Sequence, residues 1–197
     1  MKYVLANFKN NNISNEYIKK LENIDTCNNI IIFPNNDDLK KIKTNLILGK
    51  QNISLDEEIN YKYVILGHYD YRNVDNIEII NKKINKCINN NINVVLCVND
   101  INELDKSLIN VDNKQNIIIA YEPSDYIGTG NIIGKKYIEE FIDLARVKYG
   151  DIKIIYGGGV GVNNIDILKN INGLDGILVG SSSLNIDSFI KIIKNYK

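Results

Sequence analysis

The chain has 197 residues, with 24 Lys and Arg against 24 Asp and Glu, a single histidine and 44% hydrophobic side chains, enough apolar material for one domain with a sizeable core. Charges of both signs are scattered, so no basic stripe supplies the counterion release that nucleic-acid binding depends on, and the apolar runs fall far short of the roughly 20 residues that span a bilayer. Three widely spaced cysteines, Cys27, Cys87 and Cys97, suggest neither a disulfide framework nor a zinc cluster and fit a reducing cytoplasm.

The first apolar run, Tyr3–Ala6, reads as a strand and turns polar at Asn7, too early for the core of a signal peptide. Ile30–Phe33, Leu46–Leu48 and Tyr63–Leu66 read as the next three strands. Between the last two, Ser54–Asn60 has room for a helical turn or two. Gly67 and His68, the only histidine, stand just past the fourth strand. Ile77, Ile80, Ile84 and Ile88 then recur at helical spacing, ahead of a strand over Asn93–Cys97 and a short helix around Glu103–Leu108.

Ile117–Tyr121 reads as a buried parallel strand that delivers Glu122 to its C-terminal end. Beyond it, Pro123 stiffens one end of a loop and Gly128 and Gly130 free the other, the layout of a lid on fixed hinges. Tyr137, Phe141, Leu144 and Val147 predict the core stripe of a helix. Lys153–Tyr156 and Gly176–Val179 complete the strands, with helical spacing at Ile165, Leu168 and Ile171 and again at Phe189, Ile192 and Ile193. Eight strands alternating with helices predict a single α/β domain over 1–197, a closed (β/α)8 barrel at the lower edge of the size range, since about 250 residues is typical and roughly 200 the minimum.

Several residues at the predicted strand ends could carry chemistry. Glu122 is either a base that a lid desolvates or a carboxylate that merely caps its strand. His68 stands where barrel enzymes keep their active sites, although a lone histidine is often structural. Lys9 is a fixed cation at the barrel mouth or a solvated strand end, and Asn7, two residues earlier on the same strand face, could hold Lys9 or a substrate oxygen. Gly157–Gly159 and Gly180–Ser183 would let backbone N–H groups approach an anion closely, though a glycine triplet alone is only a turn signal.

Ala120-Tyr121-Glu122-Pro123 followed by Ile127-Gly128-Thr129-Gly130 resembles the base-bearing strand and lid of the triosephosphate isomerase family. Ala6-Asn7-Phe8-Lys9, Val64–His68, Tyr156–Val160 and Asp175–Gly180 resemble its first, fourth, seventh and eighth strand ends, in the family's order. The resemblance implies a TIM barrel, reduced in size, and an intramolecular aldose–ketose isomerase of glycolysis and gluconeogenesis. Dihydroxyacetone phosphate and D-glyceraldehyde 3-phosphate would be its substrates, with no metal or organic cofactor. Glu122 would carry the proton through an enediolate. His68 would serve the carbonyl as a neutral imidazole, an arrangement of which triosephosphate isomerase is itself the standard instance. Lys9 would stabilise oxyanion and phosphate, and Asn7, Gly128, Gly159, Gly180 and Ser181 would complete substrate binding.

The sequence also departs from the family. Tyr69, Asp70 and Tyr71 replace Ser, Glu and the first of two Arg after the histidine, Gly159 and Ser181 replace Ser and Gly in the phosphate loops, and Asp125 replaces an aromatic of the lid. These changes keep open an alternative, a degenerate barrel that binds sugar phosphates or anions with little turnover. The long loop after the third strand, which in the family inserts into a neighbouring subunit, is pared to Ser54–Asn60, and the usually aliphatic residue after Lys9 is the polar Asn10. The family homodimer is therefore expected to be weakened or lost.

Overall fold

In the computed structural model, which describes residues 1–196, eight parallel strands hydrogen-bond in sequence order and close on themselves as a barrel. They are β1 (Tyr3–Asn7), β2 (Asn29–Phe33), β3 (Ile47–Gln51), β4 (Tyr63–Leu66), β5 (Asn93–Val98), β6 (Ile117–Tyr121), β7 (Lys153–Tyr156) and β8 (Gly176–Val179). Successive side chains of a strand point to opposite faces, so each strand feeds two cores. Leu5, Ile31, Ile65, Val95, Ile118 and Leu178 fill the barrel interior, whereas Val4, Ile32, Leu66, Val94 and Ile119 pack outward against the helices. Strands buried on both faces must be apolar at nearly every position, which is why they stand out in the sequence.

The helices are α1 (Asn15–Glu22), α2 (Asn36–Leu39), α3 (Ile77–Asn89), α4 (Ile101–Ser107), α5 (Lys135–Tyr149), α6 (Ile165–Leu168) and α7 (Ile186–Asn195). Side-chain oxygens of Ser14, Asn76 and Asp100 accept backbone N–H groups in the first turns of α1, α3 and α4 and so fix where those helices begin. Among the described residues no helix is long and apolar enough to cross a membrane.

Four features differ from the sequence-based expectation. Helix α1 lies outside the sequence-based expectation, because three buried residues, Tyr17, Ile18 and Leu21, suffice to seat an eight-residue helix that is otherwise polar. Strand β3 runs on to Gln51, three residues past the apolar stretch, since little covers its outer face and Lys50 is only half-buried. Helix α5 turns differently on the barrel: Ile138, Phe141, Ile142 and Ala145 are buried, and Tyr137, Leu144 and Val147 are exposed, Val147 at 86%. Finally, Ser54–Asn60 forms no helical turn. It is fastened instead by side chains. Lys50 pairs with the Glu57 carboxylate, Ser54 N–H donates to Glu57 Oε2 at 3.0 Å, and Lys86 of α3 donates to the carbonyl oxygens of Leu55 and Glu57.

Candidate active site

The alternation that fills the barrel also delivers the polar residues. Leu5 points inward, so Asn7 does too at the C-terminal mouth; Ala120 points inward, so the next inward position is Glu122. A cavity of about 130 Å³ opens there. Its lining brings together Asn7, Lys9, His68 and Glu122 from strand ends β1, β4 and β6, Gly128 from the lid, and Gly159, Gly180 and Ser181 from the loops after β7 and β8. Every site residue expected from the sequence therefore faces one space.

Glu122 is 2% exposed and its N–H donates to Val98 O at 2.8 Å, continuing the β5–β6 ladder one step past the strand. Its Oε1 lies 3.7 Å from His68 Nε2, and its buried Oε2 has no hydrogen-bond partner among the described residues. A buried carboxylate oxygen without a donor is costly, so the arrangement holds in reserve an acceptor for a ligand. Gly157 makes the approach possible: a Cβ there would lie 2.7 Å from Glu122 Cγ. Cys97 is buried next to this carboxylate, and burial followed by the negative charge of Glu122 pushes its thiol well above the usual range, leaving it a neutral packing group.

Gly67 turns the chain inward after β4 with φ +72°, and a side chain there would strike Cys97 O at 2.6 Å, so both backbone and space demand glycine. His68 follows, 4% exposed, and its Nδ1 accepts the Asp70 backbone N–H at 3.3 Å. In the neutral imidazole that bond leaves the proton on Nε2, the nitrogen turned toward Glu122. Asp70 bridges the other side of the site. Its Oδ1 is 3.3 Å from Lys9 Nζ and its Oδ2 3.6 Å from His68 Nδ1, so the shorter side chain still meets the lysine.

The relation between Asn7 and Lys9 differs from the expected shared strand face. Strand β1 ends at Asn7, and Lys9 sits beyond it in a left-handed turn with φ 52°. Asn7 Oδ1 accepts the Lys9 N–H at 3.0 Å. The other hold on this turn was not anticipated: buried Gln51, at the end of β3, donates through Nε2 to the carbonyls of Lys9 (3.0 Å), Phe33 (2.9 Å) and Pro34 (2.8 Å). A left-handed non-glycine residue costs roughly 1–2 kcal/mol, and these contacts oppose its relaxation.

The lid begins with a 3-10 turn over Ser124–Tyr126 and arches through Gly128 (φ +75°) and Gly130 (φ +74°). Asp125, in place of the family's aromatic, points to solvent, and the arch is seated by other groups. Ile133 N–H donates to Tyr156 Oη at 3.0 Å, and Asn164 Nδ2 donates to Gly130 O at 3.2 Å and Gly159 O at 2.9 Å. A Cβ on Gly159 would fall 1.9 Å from Asn131 O, so the lid backbone occupies the room a larger residue would need. Burial raises the Tyr156 phenol far above its ordinary value, against the smaller opposing effect of the Ile133 N–H that its oxygen accepts.

The profile of the triosephosphate isomerase family matches residues 52–196. Curated proteins named triosephosphate isomerase are similar along much of the chain. That of Mycoplasma mobile is 36% identical over 154 residues, 70% of this chain and 64% of its own length. That of Borrelia recurrentis is 34% identical, covering 76% of each, and that of Wolbachia pipientis wMel is 32% identical, covering 94% of this chain and 84% of the relative. The chain spans just under two thirds of the length of the Mycoplasma and Nostoc relatives it matches.

Proposed function

This chain belongs to the triosephosphate isomerase family, and from that premise we propose that it interconverts dihydroxyacetone phosphate and D-glyceraldehyde 3-phosphate. The observation that carries the reading is the convergence of Glu122, His68 and Lys9 on one cavity beneath a lid. Moving a proton between adjacent carbons needs a base, a donor to the carbonyl oxygen and a grip on the phosphate. Glu122, with a buried oxygen that has no partner among the described residues, is the base that removes the proton from one carbon and returns it to the next. The enediolate formed in between carries negative charge on oxygen. The buried His68 Nε2–H and the partly exposed Lys9 ammonium are the donors that stabilise it. The reaction balances without a redox partner: one proton moves from carbon to carbon through Glu122, a second moves from one oxygen to the other through His68 Nε2, and no electrons leave the substrate. Gly128, Gly159, Gly180 and Ser181 line the same cavity, where backbone N–H groups suit a phosphate and the lid adds its own. A coupled assay of the purified protein with glyceraldehyde 3-phosphate tests this reading. Phosphate binding with no turnover would favour the degenerate barrel.

We also infer that the protein works in the cytoplasm without the family's tight dimer. Asn10 is exposed beside Lys9, and the segment after β3 is tied to its own α3 through Lys86, not extended toward a neighbour. Gln51 then takes over support of the Lys9 turn from within the chain. Turnover below that of a subunit-propped site follows, because geometry this local is less rigidly held. Sedimentation at micromolar concentration decides the assembly: a stable dimer with an interface of 2,000 Å² or more, the order expected of obligate pairs, would refute it.

A further inference from the structure

The lid's first hinge contains a network that the reaction as described does not use. Glu122 N–H donates to Val98 O, but Pro123 has no N–H, so the β5–β6 ladder should end there. It continues through a side chain. Asn99, the residue after β5, accepts the Ser124 N–H and the Ser124 hydroxyl on Oδ1, both at 2.8 Å. Arg72 closes the link to the other catalytic strand: its Nη1 donates to Ser124 Oγ at 3.2 Å and its Nε to Gly67 O at 3.1 Å, the carbonyl of the residue before His68. Glu103 backs the pair, accepting the Asn99 N–H at 2.5 Å with Arg72 Nη2 at 3.8 Å.

We propose that Asn99 is a positioning residue for the isomerisation, pinning Ser124 so that the lid's first hinge stays fixed and Glu122 keeps its aim at the substrate. The proposal rests on the isomerase reading above. Glu122 is thus held on both sides, by Val98 O at its own amide and by Asn99 two residues on, and only the lid beyond Ser124 is left to swing. Through Arg72 the same hold fixes the hinge relative to Gly67, and so relative to the histidine whose Nε2 is 3.7 Å from Glu122 Oε1. The phosphate-facing loops after β7 and β8 take no part in it. Loss of Asn99 should therefore separate turnover from anion binding, which a general loss of stability would not do.

The test compares wild type, Asn99→Ala, Asn99→Asp, Ser124→Ala and the Asn99→Ala/Ser124→Ala pair by kcat, inhibition by inorganic phosphate, thermal melting and exchange of the Ser124 amide. Asn99→Ala should lower kcat by about tenfold or more, the scale of a sub-ångström misplacement of the base, with phosphate inhibition within about twofold of wild type and faster Ser124 exchange. Asn99→Asp keeps the acceptor and should stay within about threefold of wild type. The two alanine penalties should fall short of multiplying, as for groups in one network. An active wild type with Asn99→Ala unimpaired in kcat overturns this inference alone, as does a penalty in Asn99→Ala that Asn99→Asp fails to rescue. A wild type without turnover overturns the proposed function and this inference together.

Discussion

Gly157→Ala should separate the position of the Glu122 carboxylate, the proposed base, from the stability of the barrel. The added Cβ would lie 2.7 Å from Glu122 Cγ and 3.0 Å from Glu122 Oε1. Relaxed carbon contacts need about 3.5–4.0 Å, so the carboxyl group must retreat by roughly 1 Å. The obstacle is the Glu122 side chain from Cγ outward, which can turn aside about its Cα–Cβ bond, and the Gly157 backbone is not in the left-handed region. Alanine also restricts the unfolded chain, worth about 0.4–1 kcal/mol in favour of the fold, so the net change in stability should stay within about 1 kcal/mol. Catalysis is less forgiving, because a misplacement of about 1 Å can cost on the order of 100-fold. The expected result is a kcat lowered by about 10–100-fold, with KM within about threefold and a melting temperature within about 4 °C of wild type. Steady-state kinetics with glyceraldehyde 3-phosphate and a thermal melt supply both numbers. A kcat within about twofold of wild type would mean that Glu122 does not act from the position that Gly157 makes possible.

Gln51→Leu removes a buried amide from the carbonyls of Lys9 and Pro34, while Phe33 O keeps the Phe8 N–H, and at roughly 1–3 kcal/mol per unsatisfied group it should cost about 2–6 kcal/mol in urea unfolding; a loss under about 0.5 kcal/mol would contradict its role under the Lys9 turn. A maleimide at pH 8 should label one thiol of the native protein, exposed Cys27, because burial lifts the Cys87 thiol to about 12 and the Cys97 thiol well above its usual range; rapid labelling of all three without denaturant would argue against the packing described. Partial burial alone would raise the Glu57 carboxyl, but hydrogen bonds from Lys50 and the Ser54 N–H outweigh it and hold the group below its ordinary value. A lowered folded value means a contribution present above the unfolded value of about 4.3 and lost as pH falls through the folded one, so protease cleavage within Ser54–Glu57 should stay slow at pH 5 and speed up only below about pH 4.

The barrel was legible because its strands are buried on both faces: Ile117–Tyr121 cannot be much else, and the change from apolar to polar at Asn7, His68 and Glu122 marks each mouth. Helix faces were less so. The spacing of Tyr137, Phe141 and Leu144 fits a helical stripe as well as that of Ile138, Phe141, Ile142 and Ala145, and which one is buried depends on how α5 is rotated against the barrel, a tertiary fact. Strand β3 was read short because Gly49, Lys50 and Gln51 lack the apolar signature, although the ladder to β4 runs through all three. Gln51, Asn99 and Asn164 went unremarked for one reason. Each is a plain amide in an asparagine-rich chain, and its partners lie on segments that only the closed barrel brings within reach. The placement of Asn99, an amide following an inward-pointing Cys97 at a strand end, was the signal available.

Whether Glu122 moves the proton is decided by Glu122→Gln. The amide keeps the size of the carboxylate but cannot take up a proton, and a positioned general base contributes roughly 10²–10⁴-fold. With wild type and variant assayed side by side for conversion of glyceraldehyde 3-phosphate, and inorganic phosphate inhibition as the check on an intact anion site, kcat should fall at least about 100-fold with phosphate inhibition little changed. A variant that keeps more than about a tenth of wild-type turnover would contradict the role of Glu122 as the base.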